Sequence, residues 1–389
     1  MSNISFQDRV KGVVIGTAYG DALGATIEKL SYEEIKARYG RVDDLRTEWW
    51  KSDWSLEDRK NKTRGNGIVT DDTLMTLALM NVYNNLQRHI DSYDMADEFI
   101  KEIAFRKRYI PEFQKEAHII DRLFYPDKYI FMRHTLANCD PREGGVGNMV
   151  NCGAAMYISP IGIVNACNPR AAYDEAILFA MGHQCSYGLE AAGVLAACVA
   201  KAFVPNTTID EVARTAIQFA NDGTQMAIKD IYEAAIKLRE YRDDKDLIVN
   251  EFHKVIKKYS PMGDDVARKI EKVGMPSNHY TPSRLFSIEE LPIALGYCVL
   301  HEGDFSSAVI DGVNSGRDTD SIGVMIASIL GAMYGSSIVK NEDIELLEKV
   351  NKCDLIKDAH KFARTASRII NEDMRVLREI SDHIDNINN

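Results

Sequence analysis

Two short acidic clusters, Thr70-Asp71-Asp72-Thr73 and Asp318-Thr319-Asp320-Ser321, flank most of this chain. Each stands where a loop opens into a helix of small and apolar residues. One side-chain oxygen is enough to cap such a helix, and its dipole favours a carboxylate in the first turn. Each junction supplies at least three oxygens. Adjacent carboxylates repel, and a divalent cation removes that cost. Hard oxygen donors of this kind are what Mg²⁺ or Mn²⁺ prefers. If both clusters serve one centre, everything between them must fold around it, which predicts one bundle-like domain with the site at one end. Two facing clusters could hold a metal pair that activates water for hydrolysis. At this point two helix caps remain the open alternative.

Helical periodicity dominates the rest and strand signals are sparse, so the chain is expected to be all-α with a dozen or more helices. The pattern predicts helices over Phe6 to Leu23, Ser31 to Tyr39, Asp71 to Leu86, Ser92 to Tyr109, Pro169 to Met181 and Tyr187 to Phe203. Others are expected over Glu289 to His301, Asp304 to Ser315 and Ser321 to Tyr334, with a further one at Gly263 to Lys272. Between Asp43 and Ile68 lies a polar loop carrying Trp49, Trp50 and Trp54 and closing on Arg64-Gly65-Asn66-Gly67, a turn signal. A second polar loop, Gly274 to Phe286, holds His279 and Tyr280. No composition break divides the chain. Residues 1–389 are expected to form one domain, with a core over about 6–340 and C-terminal helices over 341–389.

The net charge of −11 with scattered Lys and Arg argues against nucleic acid as a partner. Seven well-separated cysteines without a C-x-x-C pair support neither a zinc ribbon nor a redox motif. They fit a reducing cytoplasm. The N-terminus lacks the layout of a signal peptide. The most apolar stretch, Gly188 to Val204, is too short to span a bilayer comfortably, so no membrane partner is expected.

Gly16, Gly20 and Gly24 recur every fourth residue. That spacing fails the dinucleotide fingerprint but lines one helix face, allowing close helix packing. Glu28, just beyond, is either a solvated helix-end carboxylate or a general base at the site. The Gly144 to Gly153 stretch reads as a plain loop or an anion-binding nest of backbone amides. His183, alone between two helices, reads first as a satisfied core residue.

Taken in order, Gly20-Asp21-Ala22-Leu23-Gly24 with Glu28, Thr70-Asp71-Asp72-Thr73, Asn151-Cys152-Gly153-Ala154-Ala155-Met156, His183 and Gly316-Arg317-Asp318-Thr319-Asp320-Ser321 form a set. The set resembles the ADP-ribosylglycohydrolase family, which includes the dinitrogenase reductase-activating glycohydrolases. That resemblance implies a single large orthogonal helical domain with two Mg²⁺ ions at the base of a cleft. Thr70, Asp71, Asp72, Asp318, Asp320 and Ser321 would be the metal ligands, with Mn²⁺ as a substitute. Glu28, Asp72 and Asp320 would be catalytic, Glu28 by handling a proton or orienting the ribose. Gly147, Asn148, Asn151, Gly153 and His183 would line the ADP-ribose pocket. The chain departs from the family in having Ser321 for Thr, Arg317 for Gly, and Asn151-Cys152-Gly153-Ala154-Ala155-Met156-Tyr157 where the family reads Asn-Gly-Ala-Ala-Met-Arg. The implied activity is cleavage of a ribosyl C1″ bond, on an ADP-ribosylated protein side chain or a small ribosyl compound. A nucleoside-type hydrolase on the same centre is the alternative, and a non-enzymatic ADP-ribose-binding protein ranks after it.

Overall fold

Fourteen residues of the first helix, Phe6–Ala25, are buried, glycines among them, because this helix runs through the interior. A computed structural model describes residues 4–259 and 287–388. The helix expected at Gly263 to Lys272 and the loop with His279 and Tyr280 lie outside the described residues. The partner of the first helix is Thr319–Tyr334, equally buried. Contacts run Gly12 to Gly331, Gly16 to Ala327, Gly20 to Gly323 and Gly24 to Thr319, so the two helices are antiparallel with backbone against backbone. The glycine stripe therefore has the packing role its spacing predicts, and the small residues of the second helix complete it.

A Cβ at position 20 would lie 2.3 Å from the Gly323 carbonyl oxygen. No side chain can move aside there. Alanine would gain about 1 kcal/mol of helix propensity, yet forcing the helices apart costs more. Gly20→Ala is expected to lose about 2 kcal/mol net in urea denaturation. An alanine variant as stable as the parent would contradict this contact.

Most of the expected helices are present, Asp71–Leu86 with the boundaries read from sequence. The stretch expected as one helix over Ser92 to Tyr109 is different. A helical turn at Ser92–Asp94 continues through π-helical turns to Phe105. The chain then forms strand Lys107–Ile110, paired antiparallel with Lys115–His118. Pro111 has no N–H and holds Ile110 extended, which sets the turn between the strands. The helix Tyr125–Ala137 was not anticipated. Its Pro126 sits in the first turn, where a missing N–H breaks no helical bond.

Around the central pair pack Ser186–Ala202 and Ser287–Leu300, both rich in buried small and apolar side chains. No helix among the described residues is long and apolar enough to cross a membrane. The last helix, Leu355–Asn388, lays Leu355, Ala359, Phe362 and Ala366 on the core before running out exposed. His89 ties it down, with Nδ1 at 2.7 Å from Glu175 and Nε2 at 2.9 Å from Asp373. Its bond with Glu175 raises the His89 pKa to about 9. The stabilisation is thus fully present below pH ~6.5 and lost as pH rises through about 9. Since His89 is partly exposed, screening limits its worth to about 1 kcal/mol. His89→Gln is expected to flatten the stability profile between pH 7 and 9. An unchanged profile would remove His89 from this role.

Candidate metal centre

The antiparallel glycine contact brings the start of the Thr319–Tyr334 helix to the end of Phe6–Ala25. Thr319 fixes the junction by donating its hydroxyl to the Gly24 carbonyl at 2.7 Å. Beyond it, Lys29 N–H bonds to the Arg317 carbonyl and Arg317 N–H to that of Leu30. Lys29, Gly316 and Arg317 all take positive φ to make this crossing. The result holds Glu28 against Asp318 and Asp320.

Asp21 brings in the third element. Next to Gly20, in the last turns of Phe6–Ala25, it is fully buried and accepts from Thr70 N–H at 2.9 Å, Thr73 N–H at 3.1 Å and the Thr73 hydroxyl at 2.5 Å. All three bonds fall on Oδ2. Asp21 therefore caps the Asp71–Leu86 helix from outside and aligns it with Thr319–Tyr334. Across the gap Ser321 donates to Asp72 Oδ1 at 3.1 Å, and Thr70 donates to Asp72 Oδ2 at 3.2 Å. The two clusters, distant in sequence, touch.

Two carboxylate triplets result, Asp21–Asp72–Asp320 and Glu28–Asp318–Asp320, each with oxygens within 4.8 Å of one another. Asp320 belongs to both. All five residues are at most 9% exposed, so water screens little of their mutual repulsion. Burial, then Asp21, Asp71 and Asp318, push the Asp72 pKa far up. Burial, then Glu28, Asp318 and Asp72, do the same to Asp320. Burial raises Asp21 to about 6, and its Oδ1 is buried with no hydrogen-bond partner. An all-oxygen donor set short of positive charge fits a divalent cation, and these buried acidic groups can hold metal ions.

Asp71, expected as a ligand, faces differently. Its Oδ1 is ion-paired with Arg122, so Oδ2 is the oxygen left for a cation. Arg122 also pairs with Glu112, Glu112 with Arg64, and Arg64 with Glu28. A buried chain of alternating charge thus runs from one cluster to the other, with Arg64 4.0 Å from Asp320 as well. Glu112 sits in the hairpin turn, Pro111–Phe113, and is fully buried. Trp50 closes over this side, donating its indole N–H to the Glu28 carbonyl at 3.0 Å and stacking edge-on with Trp54. Sequence reasoning missed Asp21, Arg64, Glu112 and Arg122. Asp21 had two signals, a lone acid among buried-type residues and its place in the Gly20-Asp21-Ala22-Leu23-Gly24 motif.

The glycine loop packs tightly. Gly144 leaves no space beside His134, and Gly147 takes φ +86°. Asn151 Oδ1 accepts from Gly153 N–H at 2.8 Å and Gln184 at 2.6 Å. Asn148 bonds to the His183 carbonyl at 2.8 Å. His183 itself is fully buried, with Nδ1 on Tyr157 at 2.8 Å and Nε2 on Asp127 at 2.9 Å. Asn148 also reaches Asp127 at 3.4 Å, so it shares the His183 network, whereas Asn151 and Gly153 bond with each other and with Gln184. Arg317 forms a buried ion pair with Glu289. Cys152 enters the centre, its thiol 3.0 Å from Asp318 Oδ2.

The sequence model of the ADP-ribosylglycohydrolase family matches residues 2–374. Uncharacterized protein YegU of Escherichia coli is 23% identical over 365 residues, covering 92% of this chain and 97% of YegU. An uncharacterized protein of Archaeoglobus fulgidus is 24% identical over 332 residues, covering 84% and 88%. Among solved structures, an ADP-ribosylglycohydrolase-related protein complex superposes with a TM-score of 0.61 at 18% identity, covering 94% of this chain and 99% of that one. That last likeness speaks for the fold.

Proposed function

This chain belongs to the ADP-ribosylglycohydrolase family, and from that premise we propose that it is a metal-dependent hydrolase of ribosyl C1″ bonds, with ADP-ribosylated protein side chains as substrate. The observation that carries the reading is the Ser321–Asp72 contact, which sets two carboxylate triplets side by side around Asp320. Thr70, Asp71, Asp72, Asp318, Asp320 and Ser321 would hold two Mg²⁺, with Asp21 as a further donor. A bound pair supplies charge to orient ribose hydroxyls and to polarise water.

The chain's own groups do the rest. Glu28 stands beside Asp318 and Asp320, held in place by its ion pair with Arg64, where it would take a proton from attacking water. As the C1″ bond breaks, positive charge grows on the sugar, and the surplus of carboxylates stabilises it. The loop over Gly147, Asn148, Asn151 and Gly153 offers backbone and amide groups to the ADP-ribose portion. Burial of the acids keeps bulk water from them.

The test is release of ADP-ribose from mono-ADP-ribosylated protein, with Mg²⁺ and with a chelator. Metal-dependent release is the expected result. Turnover of free nucleosides alone would move the substrate to small ribosyl compounds. Metal-dependent ADP-ribose binding without hydrolysis of any ribosyl compound would overturn the enzymatic reading.

A further inference from the structure

Among the described residues, every buried carboxylate around the centre has a partner except one. Asp21 accepts three hydrogen bonds, Glu112 pairs with two arginines and Glu289 pairs with Arg317. Glu290, in the first turn of Ser287–Leu300, is 1% exposed, and neither of its oxygens has a hydrogen-bond partner. Leaving a carboxylate so buried without a hydrogen-bond partner is unfavourable. What it faces is Asp318 and the thiol of Cys152, with one ligand atom from each of the three within 4.8 Å of the others. Cys152 and Asp318 are themselves 4% and 5% exposed.

The geometry points to a thiophilic cation position built by Cys152, Glu290 and Asp318, attached to the carboxylate centre and preferring Zn²⁺ or Co²⁺ to Mg²⁺. The inference rests on the reading that the neighbouring acids bind metal. Three separate elements deliver the donors: the loop before Ala155–Tyr157, the start of Ser287–Leu300, and the residue capping Thr319–Tyr334. Rigid placement by helix ends is what a preformed site needs. A thiolate is a soft ligand that selects zinc-like ions, whereas the all-oxygen triplets suit Mg²⁺. Three protein donors also leave a coordination position open. On binding, the Cys152 proton leaves to solvent and the metal takes its place beside Asp318.

Chelator-stripped protein titrated with Co²⁺ alone decides it, because thiolate-bound cobalt absorbs in the near ultraviolet and oxygen-bound cobalt does not. The wild type is expected to show that band. Cys152→Ser is expected to lose it while still binding Co²⁺ at the carboxylates. Glu290→Gln is expected to need at least about tenfold more Co²⁺ for the same absorbance. Circular dichroism checks that each variant is folded. No band in the wild type, or the same band in Cys152→Ser from another cysteine, overturns the site. Hydrolysis with Mg²⁺ but no cobalt–thiolate band would sink this inference alone. The band without hydrolysis of any ribosyl compound would sink only the proposed activity.

Discussion

Asp320→Ala is expected to abolish metal-dependent stabilisation and to lower turnover by on the order of a thousandfold, ~4 kcal/mol of barrier. Asp320 is the carboxylate shared by both triplets, so its removal leaves each with two acids. The same substitution is expected to raise the melting temperature of metal-free protein. Asp320 lies among Glu28, Asp318 and Asp72, and burial gives their repulsion full effect. Its ion pair with Arg64, which the alanine would remove, is the longest that arginine makes, 4.0 Å, and offsets little of that repulsion. Opposite changes with and without metal separate a ligand from a packing residue. An alanine variant that melts lower in chelator, or that still responds fully to Mg²⁺, would remove Asp320 from the centre.

The same crowding sets a pH dependence for metal-free wild type. Asp21 has a folded-state pKa of about 6, above its ordinary 3.8, because burial disfavours its charge. The folded state then binds the proton more tightly than the unfolded chain. Stability from this group is fully present below about pH 4 and lost as pH rises through about 6, a difference on the order of 3 kcal/mol. Asp72 and Asp320 push in the same direction. Metal-free protein should therefore melt higher at pH 5 than at pH 7.5, and Mg²⁺ should close the gap at the higher pH.

How much of this was legible in the sequence depended on whether a residue's role leaves a local trace. Thr70 and Asp318 stand at helix starts, where a cap and the helix dipole call for such residues, so both clusters could be read directly. Gly16, Gly20 and Gly24 announce a close helix contact by spacing alone. The charges behind the clusters have no period. Arg64 reads as part of a turn, and no local pattern marks Glu112 or Arg122. Only the tertiary fold, through a hairpin whose first strand follows on from helical periodicity, joins them. For His183 the family's pattern implies a pocket residue and its isolation in the sequence a satisfied core group; its ring bonds to Tyr157 and Asp127.

That hidden charge chain carries the second large expectation. Glu112→Gln keeps size and shape but removes the negative charge between Arg64 and Arg122. Burial acts to raise the Glu112 pKa, yet Arg122, Lys62 and Arg64 hold it down to about 2, so the carboxylate is ionised at any working pH. Replacing it leaves three cations, Arg122, Arg64 and Lys62, facing one neutral amide. Breaking a buried ion pair from one side costs about 3–5 kcal/mol, and the loss should appear as a lower urea midpoint at unchanged slope. Above about pH 4.5 the wild-type advantage is full, and it disappears as pH falls through about 2. The effect should also reach the metal centre. Arg64 and Arg122, freed from Glu112, are drawn further onto Glu28 and Asp71, where they compete with a cation. Mg²⁺ affinity is expected to fall about 10–100-fold, as for other residues that orient ligands from behind. A Gln variant with wild-type stability would show that Glu112 fills space and nothing more. One that is destabilised but binds Mg²⁺ normally would confine the relay to folding and leave the acids to organise the metal by themselves.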